Sequence, residues 1–150
     1  MRSMFSIGAL ILAVLASGAA YAKDVTVQIL NRDSKTNVSN VFEPGLVRVN
    51  KGDTVKWLSS SAMHNVAFVE GGVPTGVSLF TSGLQNVITY KFDKPGLYLY
   101  KCVPHFGLGM VGLVLVGGDA TNLAAVKSVS LPMFAKQRLA PLLAQVEAVH

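Results

Sequence analysis

The chain has a single cysteine, so no disulfide can close within it, and three histidines, too few for more than one histidine-based metal centre. Charged residues make up only 14% of it, with no Lys/Arg run and no basic stretch interleaved with aromatics. A formal net charge of +5 spread in this way does not make a nucleic-acid surface; it suits a mildly positive face for an acidic protein partner. Internal repeats and low-complexity tracts are absent, and past the first residues no apolar run is long enough to span a bilayer.

Those first residues read as an export signal. Arg2 supplies the positive start, residues 5–15 are a short apolar run, and Ala20-Tyr21-Ala22 is a small-x-small cleavage site. Cleavage is expected after Ala22, giving a signal peptide over 1–22, a mature chain from Lys23 and a periplasmic protein; an uncleaved anchor is the alternative. Residues 23–150 are about the size of one domain. In an exported chain a lone cysteine is inert, intermolecular or liganded.

Its neighbours favour the last. Cys102, His105 and Met110 lie in Lys101-Cys102-Val103-Pro104-His105-Phe106-Gly107-Leu108-Gly109-Met110, a Cys-x2-His-x4-Met spacing on a short loop after a strand. His64 stands well upstream, where a closing fold could add a third strong ligand. Two imidazoles, a thiolate and a weak axial thioether suit one copper ion of the blue type, acceptable as copper(I) and copper(II) alike. Singly, a cysteine is more often a small buried hydrophobe and a methionine a core filler. Together they outweigh that reading, because two of only three histidines fall where a copper site needs them, the third being the terminal His150. Gly107-Leu108-Gly109-Met110-Val111-Gly112 matches the dinucleotide pattern G-x-G-x-x-G, but it leads into a β-type run and does not open a helix. Asn37-Val38-Ser39 is a formal glycosylation sequon, silent without a eukaryotic secretory host.

Short β-type runs separated by turns predict an all-β sandwich. They cover 24–30, 46–50, 54–58, 63–69 (carrying His64), 86–92, 97–102 and 110–116, with a loop over 70–83. Alternation puts Tyr98, Tyr100 and Cys102 on one face of their strand, thiolate inward, and Leu97, Leu99 and Lys101 on the other. The 110–116 run is apolar throughout and needs cover on both faces. The tail supplies it, with short helical character over 121–126 and near-helical spacing of Phe134, Leu139, Leu142, Leu143 and Val146. Pro132 suits a first helical turn, whereas Pro141 is expected to kink or break the helix.

Three stretches resemble the cupredoxins, and within them the pseudoazurins, over nearly all of the mature chain. They are Val41-Phe42-Glu43-Pro44 with Gly52-Asp53-Thr54-Val55, His64-Asn65-Val66, and the segment from Lys101 to Gly112. Plastocyanins share the ligand spacing, but the tail after Val116 resembles the two C-terminal helices of pseudoazurins. The resemblance implies an eight-stranded Greek-key sandwich with a helical extension from about residue 119, and copper near one end bound by His64, Cys102, His105 and Met110. It also implies that Asn65 ties the two ligand-bearing segments together, and that Asn31 occupies another asparagine position of the family. The lysines that typically ring the copper end are thinned to Lys101 and Arg32, and Asn40 stands where relatives often carry a methionine.

The expected function is a periplasmic electron carrier, not an enzyme, with His105 as the electron port and Pro104, Phe106, Leu108 and Lys101 as the docking patch. Family analogy suggests a copper nitrite reductase or a c-type cytochrome as partner, and a monomer suits a shuttle. A copper carrier or storage protein would use the same soft ligands, but usually at an open or methionine-rich site. A Cys102 nucleophile with His64 or His105 as base lacks an evident orienting carboxylate, and would leave Met110 without purpose.

Overall fold

A computed structural model describes residues 22–148. The expected leader, except Ala22, lies outside the described residues. Eight strands form two four-stranded sheets: β1 (Asp24–Arg32), β2 (Ser39–Glu43), β3 (Leu46–Val49), β4 (Thr54–Ser59), β5 (Ala67–Phe68), β6 (Val87–Lys91), β7 (Gly96–Lys101) and β8 (Val111–Val116). One sheet has the order β2-β1-β4-β6 and the other β3-β8-β7-β5. β1 pairs parallel to β4 and β3 parallel to β8, while the remaining pairs are antiparallel. Two helices follow, α1 (Leu123–Ser128) and α2 (Met133–Glu147).

Strand alternation builds two cores. Val27 and Ile29 of β1, Val55 and Trp57 of β4, Tyr98 and Tyr100 of β7, and Val114 and Val116 of β8 meet between the sheets. Leu97, Leu99, Leu113 and Leu115 face the other way and are covered by Val126 of α1 and Ala135, Leu139, Leu143 and Val146 of α2. Each fully buried side chain of this size contributes roughly 1.5–3 kcal/mol of transfer free energy. Every residue of β8 is buried, as its apolar run requires.

Two local expectations need correction, and one strand carries no sequence signal. The 63–69 run is strand only at Ala67–Phe68, so His64 and Asn65 sit in the loop before β5. β2 gives no alternating signal, because Phe42 is its one buried residue and Asn40 has a φ of 53°. α2 runs continuously through Pro141, with Pro132 as its N-cap residue. Pro141 is on the exposed face, where water can satisfy the carbonyl it leaves unpaired, and Leu139, Leu143 and Val146 hold the helix down on both sides of it.

Candidate metal centre

β7 ends at Lys101, and the next residue, Cys102, continues its inward face into the sandwich core. The chain then folds into a tight loop with a 3₁₀ turn over Phe106–Leu108. Backbone bonds close it: His105 N–H donates to the Cys102 carbonyl (3.2 Å), Met110 N–H to the His105 carbonyl (3.2 Å), and Cys102 N–H to the Met110 carbonyl (3.1 Å). The thiol, one imidazole and the thioether-bearing residue are thus carried on a single hydrogen-bonded frame. Met110 and Cys102 are both fully buried in the inter-sheet core.

The remote histidine arrives from the other side. Cys102 Sγ lies 3.6 Å from His64 Nδ1 and 3.4 Å from His105 Nδ1, and the three ligand atoms fall within 4.8 Å of one another. The two imidazole rings are 4.7 Å apart, centroid to centroid. His64 is fully buried, whereas His105 is half-buried at the surface end.

A neighbour explains why the His64 Nδ1 faces the sulfur. His64 Nε2 is 2.6 Å from Asn31 Oδ1, and because that oxygen only accepts, the ring proton stays on Nε2 and the Nδ1 lone pair points at the cysteine. Burial, and secondarily the charge of His105, lowers the His64 pKa, which keeps the imidazole neutral as a ligand must be. Burial pushes the Cys102 thiol up, partly opposed by backbone N–H bonds from Asn65 and His105. A metal ion binding there must therefore displace a proton, so affinity falls with falling pH. Asn65 Oδ1 accepts the Val103 N–H at 2.8 Å, joining the loop of His64 to that of Cys102.

The structure thus brings His64, Cys102, His105, Met110, Asn65 and Asn31 to one end of the sandwich. A thiolate, two imidazoles and a thioether are soft and borderline donors that fit copper, and among the described residues this cluster holds no carboxylate. Pro104 and Leu108 are exposed around His105, while Phe106 is half-buried beneath Lys101, whose Nζ stands 4.4 Å from its ring centroid. Sequence reading did not single out Met63 and Val103, which are exposed beside His64 and Cys102, or Ser82, whose Oγ accepts the Val66 N–H at 3.0 Å and whose carbonyl accepts from Asn65 Nδ2 at 3.4 Å. Exposed apolar residues next to ligands were a usable signal; a serine 17 residues from Asn65 was not. The G-x-G-x-x-G match forms the 3₁₀ turn and the start of β8, not a helix.

The chain is similar to known copper proteins. The family of copper binding proteins described as plastocyanin/azurin matches residues 30–117. A pseudoazurin of Methylorubrum extorquens is 38% identical over 146 residues, 97% of each chain, and one of Paracoccus pantotrophus is 39% identical over 145 residues with the same coverage. The crystal structure of pseudoazurin from Methylobacterium extorquens AM1 superposes with a TM-score of 0.76 at 41% identity, covering 82% of this chain and 98% of that one. The fold, the donor set and these likenesses together establish that the chain belongs to the plastocyanin/azurin family of copper-binding proteins, the cupredoxins, with pseudoazurins among its near relatives.

Proposed function

We propose that this protein is a blue-copper electron carrier of the periplasm, with one copper ion held by His64, Cys102, His105 and Met110. The observation that carries the reading is the convergence of Cys102 Sγ with two imidazole Nδ1 atoms at 3.4 and 3.6 Å, on a frame that also carries Met110. Copper bound there supplies one-electron chemistry, as copper(I) or copper(II). The protein's own part is to hold the donors still. The Asn31 contact fixes the His64 ring, the closed 102–110 loop fixes the other ligands, and the buried setting keeps water from Cys102 and Met110.

His105 is the ligand nearest solvent and serves as the electron port. Its surround of Pro104, Leu108 and Phe106, edged by Lys101, is small and sparsely charged, which suits the brief encounters of redox shuttling. The partners are redox proteins of the periplasm, a copper nitrite reductase or a c-type cytochrome, met by a monomer. Export follows from the leader, with cleavage after Ala22. A nucleophilic Cys102 enzyme is disfavoured because His64 is oriented by the Asn31 amide and not by a carboxylate.

The deciding experiment is the visible spectrum of the mature protein reconstituted with copper(II), before and after ascorbate. An intense blue band that bleaches on reduction and is lost in Cys102→Ser is expected. A colourless or pale protein would sink the carrier reading in favour of copper delivery or storage. The docking patch is tested separately: Leu108→Asp should slow electron transfer to a physiological partner while leaving that band in place, and unchanged rates would remove Leu108 from the interface.

A further inference from the structure

Arg138, in the middle of α2, makes two long-range contacts that the copper-site reading does not use. Its Nη1 donates to the Asn40 carbonyl at 2.7 Å and its Nη2 to the Ser39 carbonyl at 3.0 Å. A guanidinium can span two adjacent carbonyls in this way because its N–H groups form a rigid fork. Asn40 is held in the left-handed region, with φ at 53°. The β1–β2 register pairs Leu30 with Val41 and Arg32 with Ser39, so Asn40 lies between the pairs that flank Asn31. Asn31 Oδ1 accepts the hydrogen bond from His64 Nε2 that orients that ring.

The stem of the same side chain reaches the other half of the site. Gly109 caps the 3₁₀ turn with φ at 90°, directly before Met110. A Cβ there would lie 3.0 Å from Arg138 Cδ and 2.9 Å from the Phe134 carbonyl, so α2 is seated against the backbone with no space for a side chain. That backbone is fixed on its far side by the Met110 N–H bond to the His105 carbonyl and by the Met110 carbonyl accepting from Cys102. One half-buried arginine therefore touches the strand pair that orients His64 and the peptide that presents Met110.

We propose that Arg138 is a positioning residue for the copper site, through which the C-terminal helix sets the placement of the Met110 thioether relative to the other ligands. The inference builds on Met110 being the axial ligand. Axial ligation tunes both the spectrum and the reduction potential of such a site, so these are the readouts that a purely structural arginine would leave alone.

The test uses the mature, copper-loaded protein. Arg138→Met keeps the apolar stem and loses the fork. It is expected to bind one copper but to redistribute intensity between the short- and long-wavelength thiolate-to-copper(II) bands, and to shift the reduction potential. Arg138→Lys keeps the charge and should give a smaller shift of the same sign; it decides the matter if Arg138→Met does not fold. Lys136→Met, exposed on the same helix, should change neither. In a Met110→Leu background, which keeps the volume and removes the axial donor, the effect of Arg138→Met should largely disappear, since the two act through one ligand. Parent-like bands and potential in both Arg138 variants would overturn the proposal, even with lowered thermal stability. A full shift that persists without Met110 would overturn it as well. A Met110→Leu protein with the parent's spectrum would remove the axial-ligand reading itself, and this inference with it.

Discussion

Asn65 shows how much of the centre is held by groups that touch no metal. Its backbone N–H bonds to Cys102 and its side-chain oxygen accepts the Val103 N–H, so one residue fixes both the sulfur and the start of the ligand loop. Asn65→Ala keeps the first bond and loses the second, together with the longer Nδ2 bond to the Ser82 carbonyl. Unfolding of the metal-free protein in denaturant should show a loss of about 1–3 kcal/mol, the worth of two hydrogen bonds, one of them long. The copper spectrum should broaden, because the 102–110 loop loses a tether to the His64 side. An unchanged spectrum would mean that the backbone bonds within the loop suffice to hold Cys102.

α2 works as the lid of the second core. Leu97, Leu99, Leu113 and Leu115 point away from the inter-sheet core, and without the tail they would present an apolar sheet face to water. Leu139 is 3% exposed at the centre of this contact. Leu139→Ala should cost about 2–5 kcal/mol, read as a lower denaturation midpoint of the metal-free protein, since it removes buried methyl groups and leaves a cavity. A cost well below that range would show that α2 slides to fill the space. The continuous passage through Pro141 belongs to the same account: burial on either side of an exposed proline keeps in place a helix that local propensity would interrupt.

For the molecule as a whole, acid stability should depend on two carboxylates at loop positions. Asp53 accepts the Lys23 and Asn50 backbone N–H groups at 2.8 Å each, and these bonds lower its pKa from the ordinary 3.8. Asp33 is lowered by the Thr36 hydroxyl and the Lys35 N–H. A carboxyl with a depressed folded-state pKa stabilises fully above its unfolded value, and that contribution is lost as pH falls through the folded one. Stability should therefore decline below about pH 4 and on towards the depressed values. Asp53→Asn should make that decline shallower, as read from the denaturation midpoint of metal-free protein against pH. A parallel acid limb in the variant would place the linkage elsewhere.

Much of this architecture is written locally. The alternation in 97–102 sets Cys102 on the same face as Tyr98 and Tyr100, and the apolar run of β8 with the spaced leucines of the tail announces a second covered face; both follow from the periods of strand and helix. The Cys-x2-His-x4-Met spacing likewise puts three donors on one loop, because nine residues closed by backbone bonds leave them nowhere else to go. β2 and the true extent of β5 were not legible, since a strand with one buried residue and another of two residues carry too little periodicity. Nor does any local pattern say that Asn31 meets His64 across 33 residues, that Asn65 meets Val103 across 38, or that Arg138 meets Asn40 across 98. By itself the sequence determined which donors are available and which faces must be buried, because those depend on side-chain chemistry and on backbone period. Only the tertiary structure decided how the donors are oriented and braced, because hydrogen bonds between distant segments depend on where the packed sheets bring the chain.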